Sequence, residues 1–214
     1  MRWFLDMCII LNYIGEGDNK SLATKAKYFI DNKNGKIFLV CYYIKDWNIP
    51  KWLNRKRIIF REVLRQIKDL SYKPYSDEEC TYLFNQDKNQ ILKLVELSRS
   101  VSNIEELIDK FEGAYQEIES RINSFLSENV DEFIIPIKEI DSDLKSCLFT
   151  WLASNDSDAR TIASAVQEHN NKALVILTSD KKDWTKELLE NIHLDLKLKG
   201  KYKHLPEIKY LQTI

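Results

Sequence analysis

An excess of charge of either sign is missing from this chain. Its 214 residues carry 32 lysines and arginines against 33 aspartates and glutamates, a net of −1. Net charge therefore gives no support to nucleic-acid binding, which would need a local basic patch. Paired cysteines are missing too. Cys8, Cys41, Cys80 and Cys147 form no C-x-x-C. That argues against a disulfide framework or a zinc site, and predicts reduced, mostly buried thiols in a cytoplasmic protein. The histidines, His169, His193 and His204, lack ligand spacing. No uncharged apolar run approaches the ~18 residues of a membrane span, so no membrane association is expected. The opening Met1-Arg2 and the apolar residues after it superficially resemble a signal peptide. Asp6 falls within that run and no small-residue cleavage site follows it cleanly, so it reads as a first strand. Glycine is nearly absent from residues 52–128, with Gly113 alone.

What is present fits a soluble globular protein: 44% hydrophobic and 30% charged residues. The length suits one sizeable domain, or a domain carrying a large insertion. Residues 2–8 read as a strand, and 9–15 as a helical turn stopped by Gly15-Glu16-Gly17-Asp18. Residues 21–31 have helical spacing. Ile37-Phe38-Leu39-Val40 is the continuous apolar run of a central parallel strand. A short helix over 42–47 is expected to stop before Pro50. From 104 to 125 the stripe Ile104, Leu107, Ile108, Phe111, Tyr115, Ile118, Ile122, Phe125 predicts a long amphipathic helix, with core or dimer contacts. Strands are expected again at 132–137, 173–178 and 207–212. Helices are expected at 141–153, 159–169 and 183–191. Strands alternating with helices argue for a parallel α/β sheet. Segments 1–51 and 130–214 would form it, with a helical hairpin or bundle inserted at about 52–129.

The informative residue is Asp6, inside Trp3-Phe4-Leu5-Asp6-Met7-Cys8-Ile9. A buried carboxylate is expensive unless a cation or hydrogen-bond donors meet it. Leu174 to Ser179 is another apolar strand, ending in Asp180 with Asp183 close behind. Asp156-Ser157-Asp158 opens a helix, where an acid is often only a cap. Ligands of open parallel sheets bind beyond the strands' carboxyl ends, so these clusters can share one cleft. Carboxylates gathered there repel one another. A hard, oxygen-seeking Mg²⁺ or Mn²⁺ would relieve that.

These residues carry a resemblance. Phe4-Leu5-Asp6 followed by an apolar helix resembles the opening of PIN-domain nucleases. Asp158-Ala159-Arg160-Thr161-Ile162-Ala163-Ser164-Ala165 is similar to that family's Asp-Ala-x-x-x-Ala-x-Ala helix start. Thr178-Ser179-Asp180-Lys181-Lys182-Asp183-Trp184 resembles its T-x-D-x-x-D-(F/W) strand end. The likeness covers the first ~50 and last ~65 residues. It implies a Rossmann-like three-layer α/β/α sandwich with a central parallel sheet, and a metal-dependent endoribonuclease. Asp6, Asp158, Asp180 and Asp183 carry over as catalytic acids, with Asp6, Asp158 and Asp180 holding the metal. The chain departs from the pattern at Cys8, where the family has Asn or Ser. The family's second acid, a Glu after strand two, has no direct match. Asp46 is best placed by spacing, and Glu62 is the fallback.

A basic stretch follows: Lys51, Arg55, Lys56, Arg57, Arg61, Arg65 and Lys68, with Trp47 and Trp52 nearby. Trp47, Trp52, Arg55 and Arg57 are the candidate RNA contacts, by stacking and phosphate pairing. The alternative is a solvated helix face balanced by acids. A second run, Lys197, Lys199, Lys201 and Lys203, reads as a solvated loop. The expected function is RNA phosphodiester hydrolysis, by a toxin, defence effector or processing enzyme. The resemblance allows a homodimer, and an antitoxin or other protein partner at the helical insertion. Two alternatives stand beside it. One is a catalytically degenerate PIN-like scaffold that binds RNA or protein. The other is a haloacid-dehalogenase-like phosphatase, whose acid/base Asp would fall at Cys8.

Overall fold

An apolar run becomes an interior strand only where both of its faces find cover. In the computed structural model, which describes all residues except 18, 70, 99–102, 196 and 199, the central three of five strands meet that condition. The five are β1 (Arg2–Leu5), β2 (Ile37–Cys41), β3 (Glu132–Ile134), β4 (Val175–Thr178) and β5 (Glu207–Tyr210). They form one sheet in the order β3-β2-β1-β4-β5, and every neighbouring pair is parallel. Each residue of β1 is buried. Side chains alternate across the sheet. Trp3 meets Phe29 of α2 (Lys20–Asp31) edge to face at 4.9 Å. Arg2 points the other way, bonding Glu168 of α7 (Asp156–Asn171) at 2.6 Å and Glu132 at 2.8 Å. Helices thus cover both faces, and the fold is α/β. At the margin, β5 alternates exposed and half-buried residues, as an edge strand does.

Several boundaries differ from the sequence reading, among them α8, which is Lys186–Leu194, and β5, which ends at Tyr210; three others have a local reason. β1 ends at Leu5, because Asp6 turns its carboxylate onto the Met7 amide (2.7 Å) and caps α1 (Met7–Tyr13). Pro50 stops nothing. A π-helical turn, Ile44–Asn48, runs directly into α3 (Ile49–Lys68). Pro50 follows directly on that widened turn, inside one continuous helical run. β3 is short because Ile135 adopts φ +45°, a left-handed conformation that breaks the ladder.

The chain divides into two compact units, residues 1–49 with 122–214, and residues 50–121. The first holds the sheet with α1, α2, α6 (Ser142–Trp151), α7 and α8 (Lys186–Leu194). The second is helical, built from α3, a 3₁₀ turn (Glu78–Tyr82), α4 (Asn85–Ser98) and most of α5 (Ile104–Glu128). Its core gathers Ile58, Ile59, Val63, Leu83, Ile91 and Val95, with Phe60 stacked on Phe111 at 5.0 Å. All four cysteines are free. Among the described residues, no helix is long and apolar enough to cross a membrane.

Candidate functional site: a cluster of four aspartates

β1 and β4 are paired with Leu5 opposite Leu177. The next residue along each strand, Asp6 and Thr178, therefore emerges at the same carboxyl edge. The Asp6 amide donates to the Leu177 carbonyl (3.1 Å), extending the ladder by one bond. Asp6 is 7% exposed. Three donors meet its carboxylate: the Met7 amide at 2.7 Å, the Thr178 hydroxyl at 2.8 Å and the Cys8 thiol at 2.9 Å. Burial raises its pKa, these donors pull it partly back, and the Asp180 charge pushes it up again.

Beyond β4 the chain turns tightly over the same edge. The Asp180 amide donates to Thr178 Oγ1 (3.0 Å). Asp180 in turn accepts from the amides of Lys182 (2.7 Å) and Asp183 (3.2 Å). The Ser179 amide donates to Cys8 Sγ at 3.1 Å, and Asn12 donates to the Cys8 carbonyl at 2.7 Å. Asn12 locks α1 against this turn. Gly17 lies so close that a Cβ there would collide with the Asn12 amide oxygen. Burial pushes the Cys8 thiol up, and the neighbouring Asp6 charge and hydrogen bond push it further, so it stays a thiol and a donor.

The fourth acid arrives on α7. The chain leaves α6 through Ala153 (φ +50°) and Ser154 (φ +71°), two consecutive left-handed residues. They deliver Asn155 as the helix cap. Asn155 accepts from the Asp158 amide (3.3 Å) and donates its own amide to the Asp158 carboxylate. Burial, then the charges of Asp6 and Asp183, then a hydrogen bond with Asp183 and the charge of Asp180 raise the Asp158 pKa to about 7. The hydrogen bond sets Asp158 and Asp183 side by side, and the charges of Asp6 and Asp180 are felt at the same carboxyl. Asp6, Asp158, Asp180 and Asp183, from three segments far apart in sequence, are brought together. Asp156 is no cap. It pairs with Arg160 at 2.6 Å and Lys145 at 3.7 Å. Asp183 does not cap α8 either; Thr185 does.

Asp46 lies on the π-helical turn and is exposed. Two residues on, Asn48 reaches the start of α7. It accepts from Ser157 Oγ (3.0 Å) and donates to Thr161 Oγ1 (3.5 Å). Glu62, fully buried, belongs to the core of the helical unit. Its oxygens accept from Gln66 (2.7 Å), Tyr72 (2.8 Å), the Tyr75 amide (2.9 Å) and Cys80 (3.4 Å). Burial pushes its pKa up, and these four donors outweigh that and hold it below the ordinary value. Of the residues expected to touch RNA, Trp47 is 56% exposed and Trp52 is buried. Arg55 pairs with Asp87 (3.5 Å) and Arg57 lies over Tyr115 (4.9 Å). Arg61 and Arg65 pair with Glu79 and Asp77, so much of the basic stretch is balanced within its own unit. In the second basic run, Lys201 pairs with Asp141, and Lys199 lies outside the described residues.

Thr178, Asn12, Asn48 and Asn155 are the polar supports not singled out from sequence. Thr178 stands in the T-x-D pattern, and Asn155 precedes Asp158 by cap spacing, so both left a signal. Asn12 and Asn48 left none, because Ser179, the second partner of Asn12, and both partners of Asn48 lie far along the chain. The donor set is all carboxylate oxygen, which suits a hard divalent cation. Among the described residues, no group of three or more His, Cys, Asp or Glu side chains is placed so that it could hold a metal ion. No known protein family, curated protein or solved structure matches the chain.

Proposed function

We propose that this protein is a PIN-like, Mg²⁺- or Mn²⁺-dependent endoribonuclease. One observation carries the reading: Asp6, Asp158, Asp180 and Asp183 gather at the carboxyl edge of a parallel sheet, where burial and then the charges of the other three raise the pKa of Asp158 to about 7. The strand order, with helices on both faces, supports a Rossmann-like three-layer sandwich of the PIN kind. Asp6, Asp158 and Asp180 would hold the ion, which when bound supplies Lewis-acid stabilisation of a phosphodiester and a nucleophilic water at neutral pH. The chain's own groups orient that set. Thr178, Cys8 and the Met7 amide fix Asp6. Asn155 fixes Asp158, and the Lys182 and Asp183 amides fix Asp180. Asp183 gives Asp158 a second oxygen with which to share a proton.

A catalytically degenerate RNA- or protein-binding scaffold is the second reading. It is favoured by the lack of a second acid: Asp46 is exposed, and Glu62 is bound within the core of the helical unit. One assay separates the readings. The protein is incubated with RNA and with a phosphomonoester, each with Mg²⁺, with Mn²⁺ and with EDTA, beside Asp6→Asn. RNA cleavage that needs the ion and is lost in Asp6→Asn is expected. Cleavage that survives EDTA, or is undiminished in Asp6→Asn, overturns the mechanism. RNA binding without cleavage promotes the scaffold, and phosphomonoester turnover alone promotes a phosphatase.

A further inference from the structure

Trp47 has an arrangement that neither the core nor the carboxylate cluster requires. It is 56% exposed, yet its indole is not loose. The ring stacks on Tyr43, one turn earlier, with centroids 6.5 Å apart and planes 19° from parallel. Tyr43 is itself buried. The Arg160 guanidinium lies 5.5 Å from the Tyr43 ring centre and is anchored by Asp156 at 2.6 Å. The segment carrying Trp47 is a π-helical turn, a geometry that is rare and concentrated at functional sites. That turn is pinned to the first turn of α7 by Asn48, through Ser157 (3.0 Å) and Thr161 (3.5 Å). Trp47 precedes Asn48, and Asp158 follows Ser157. The turn that carries Trp47 is thus joined directly to the helix start that carries Asp158.

We infer that Trp47 is a stacking platform for an unpaired nucleobase of single-stranded RNA beside the scissile phosphate; this deepens, and rests on, the ribonuclease reading. A flat, half-exposed indole, ordered before any ligand arrives, offers a π-face that any base can use. It holds no donor pattern that would select one base. Bases inside a duplex keep their faces covered, so the platform selects single strands over paired ones. Tyr43, itself covered by Arg160, backs one face of the indole, which lowers the ordering cost on binding.

The test is binding of a labelled single-stranded RNA 12-mer by fluorescence anisotropy. It is done in an Asp158→Asn background with Mg²⁺, so that cleavage does not intrude. Trp47→Ala, Trp47→Phe and the surface control Tyr28→Ala are compared, each checked by thermal melting. Trp47→Ala is expected to raise Kd about tenfold, the scale of one lost base stack. Trp47→Phe should recover to within about threefold of the parent, and Tyr28→Ala should change nothing. An abasic 12-mer, which has the backbone without bases, should bind equally well with or without Trp47→Ala. An unchanged Kd in Trp47→Ala, or no RNA binding by the parent, overturns the platform. So does loss of self-association in Trp47→Ala with RNA affinity intact, which would make Trp47 a protein contact. Metal-dependent cleavage by the wild type with no role for Trp47 sinks this inference alone. Trp47-dependent binding without cleavage sinks the nuclease reading alone.

Discussion

At the scale of single residues, Asp6 shows how an acid survives in a core. Its burial is offset by three donors, and the Thr178 hydroxyl is the donor that β4 brings alongside β1. Thr178→Val keeps the shape and removes the donor. It is expected to destabilise the protein by about 1–3 kcal/mol in urea unfolding, the cost of leaving a buried acceptor short of a partner. Asp158 behaves oppositely. Its neighbours oppose its charge, so in EDTA at pH 8 Asp158→Asn should raise the melting temperature. A lower one would mean that the charge is already compensated by a cation of the chain. Asp6 was legible because a carboxylate in an apolar run is rare. Asn48 was not, because nothing in Asp46-Trp47-Asn48 says which side chain the π-helical turn will aim at α7.

Elements obey local rules until tertiary contacts intervene. The start of α6 is a case where several contacts meet. Asp141 caps it, accepting from the Asp143 (2.9 Å) and Leu144 (3.0 Å) amides, from Tyr202 Oη (2.6 Å) and from Lys201. Burial pushes its pKa up, but Lys201, Tyr202 and the Leu144 amide outweigh that and hold it at about 2, against an ordinary 3.8. A depressed carboxylate stabilises the fold above its unfolded pKa and loses that contribution as pH falls through the folded one. The stability gap between wild type and Asp141→Asn should therefore be full at pH 5 and close between about pH 4 and pH 2 in thermal melts. A gap that widens on acidification would contradict the linkage. In the helical unit, Glu62→Gln places an amide donor among groups that all donate to Glu62. Unfolding should become easier by about 2–4 kcal/mol, in line with breaking a buried charged network. The long helix was visible in sequence because its apolar stripe recurs at helical spacing. Its buried members Leu107, Ile118, Ile122 and Phe125 lie on that stripe. The π-helical turn was not, since α and π turns share the same residue preferences.

At the scale of the whole molecule, the carboxylate cluster exists only because strands from both ends of the chain pair side by side. If an ion binds there, mass action couples it to folding. Mg²⁺ at about 100 times its Kd should stabilise the protein by about 2.7 kcal/mol. The gain should be absent in Asp158→Asn, read as the shift of the urea midpoint with and without EDTA. An equal shift in both proteins would place the ion elsewhere.

The sequence by itself determined the α/β class, because continuous apolar runs alternating with helical periods admit few other packings. It also marked Asp6, Asp158, Asp180 and Asp183, because acids at the ends of apolar runs stand out one at a time. Tertiary structure alone decided which polar side chains surround them. Asn12, Asn48 and Thr178 reach partners more than a hundred residues away in most of these bonds. Such contacts depend on strand order, register and helix rotation, and these are set by packing across the sheet rather than by any local run of residues.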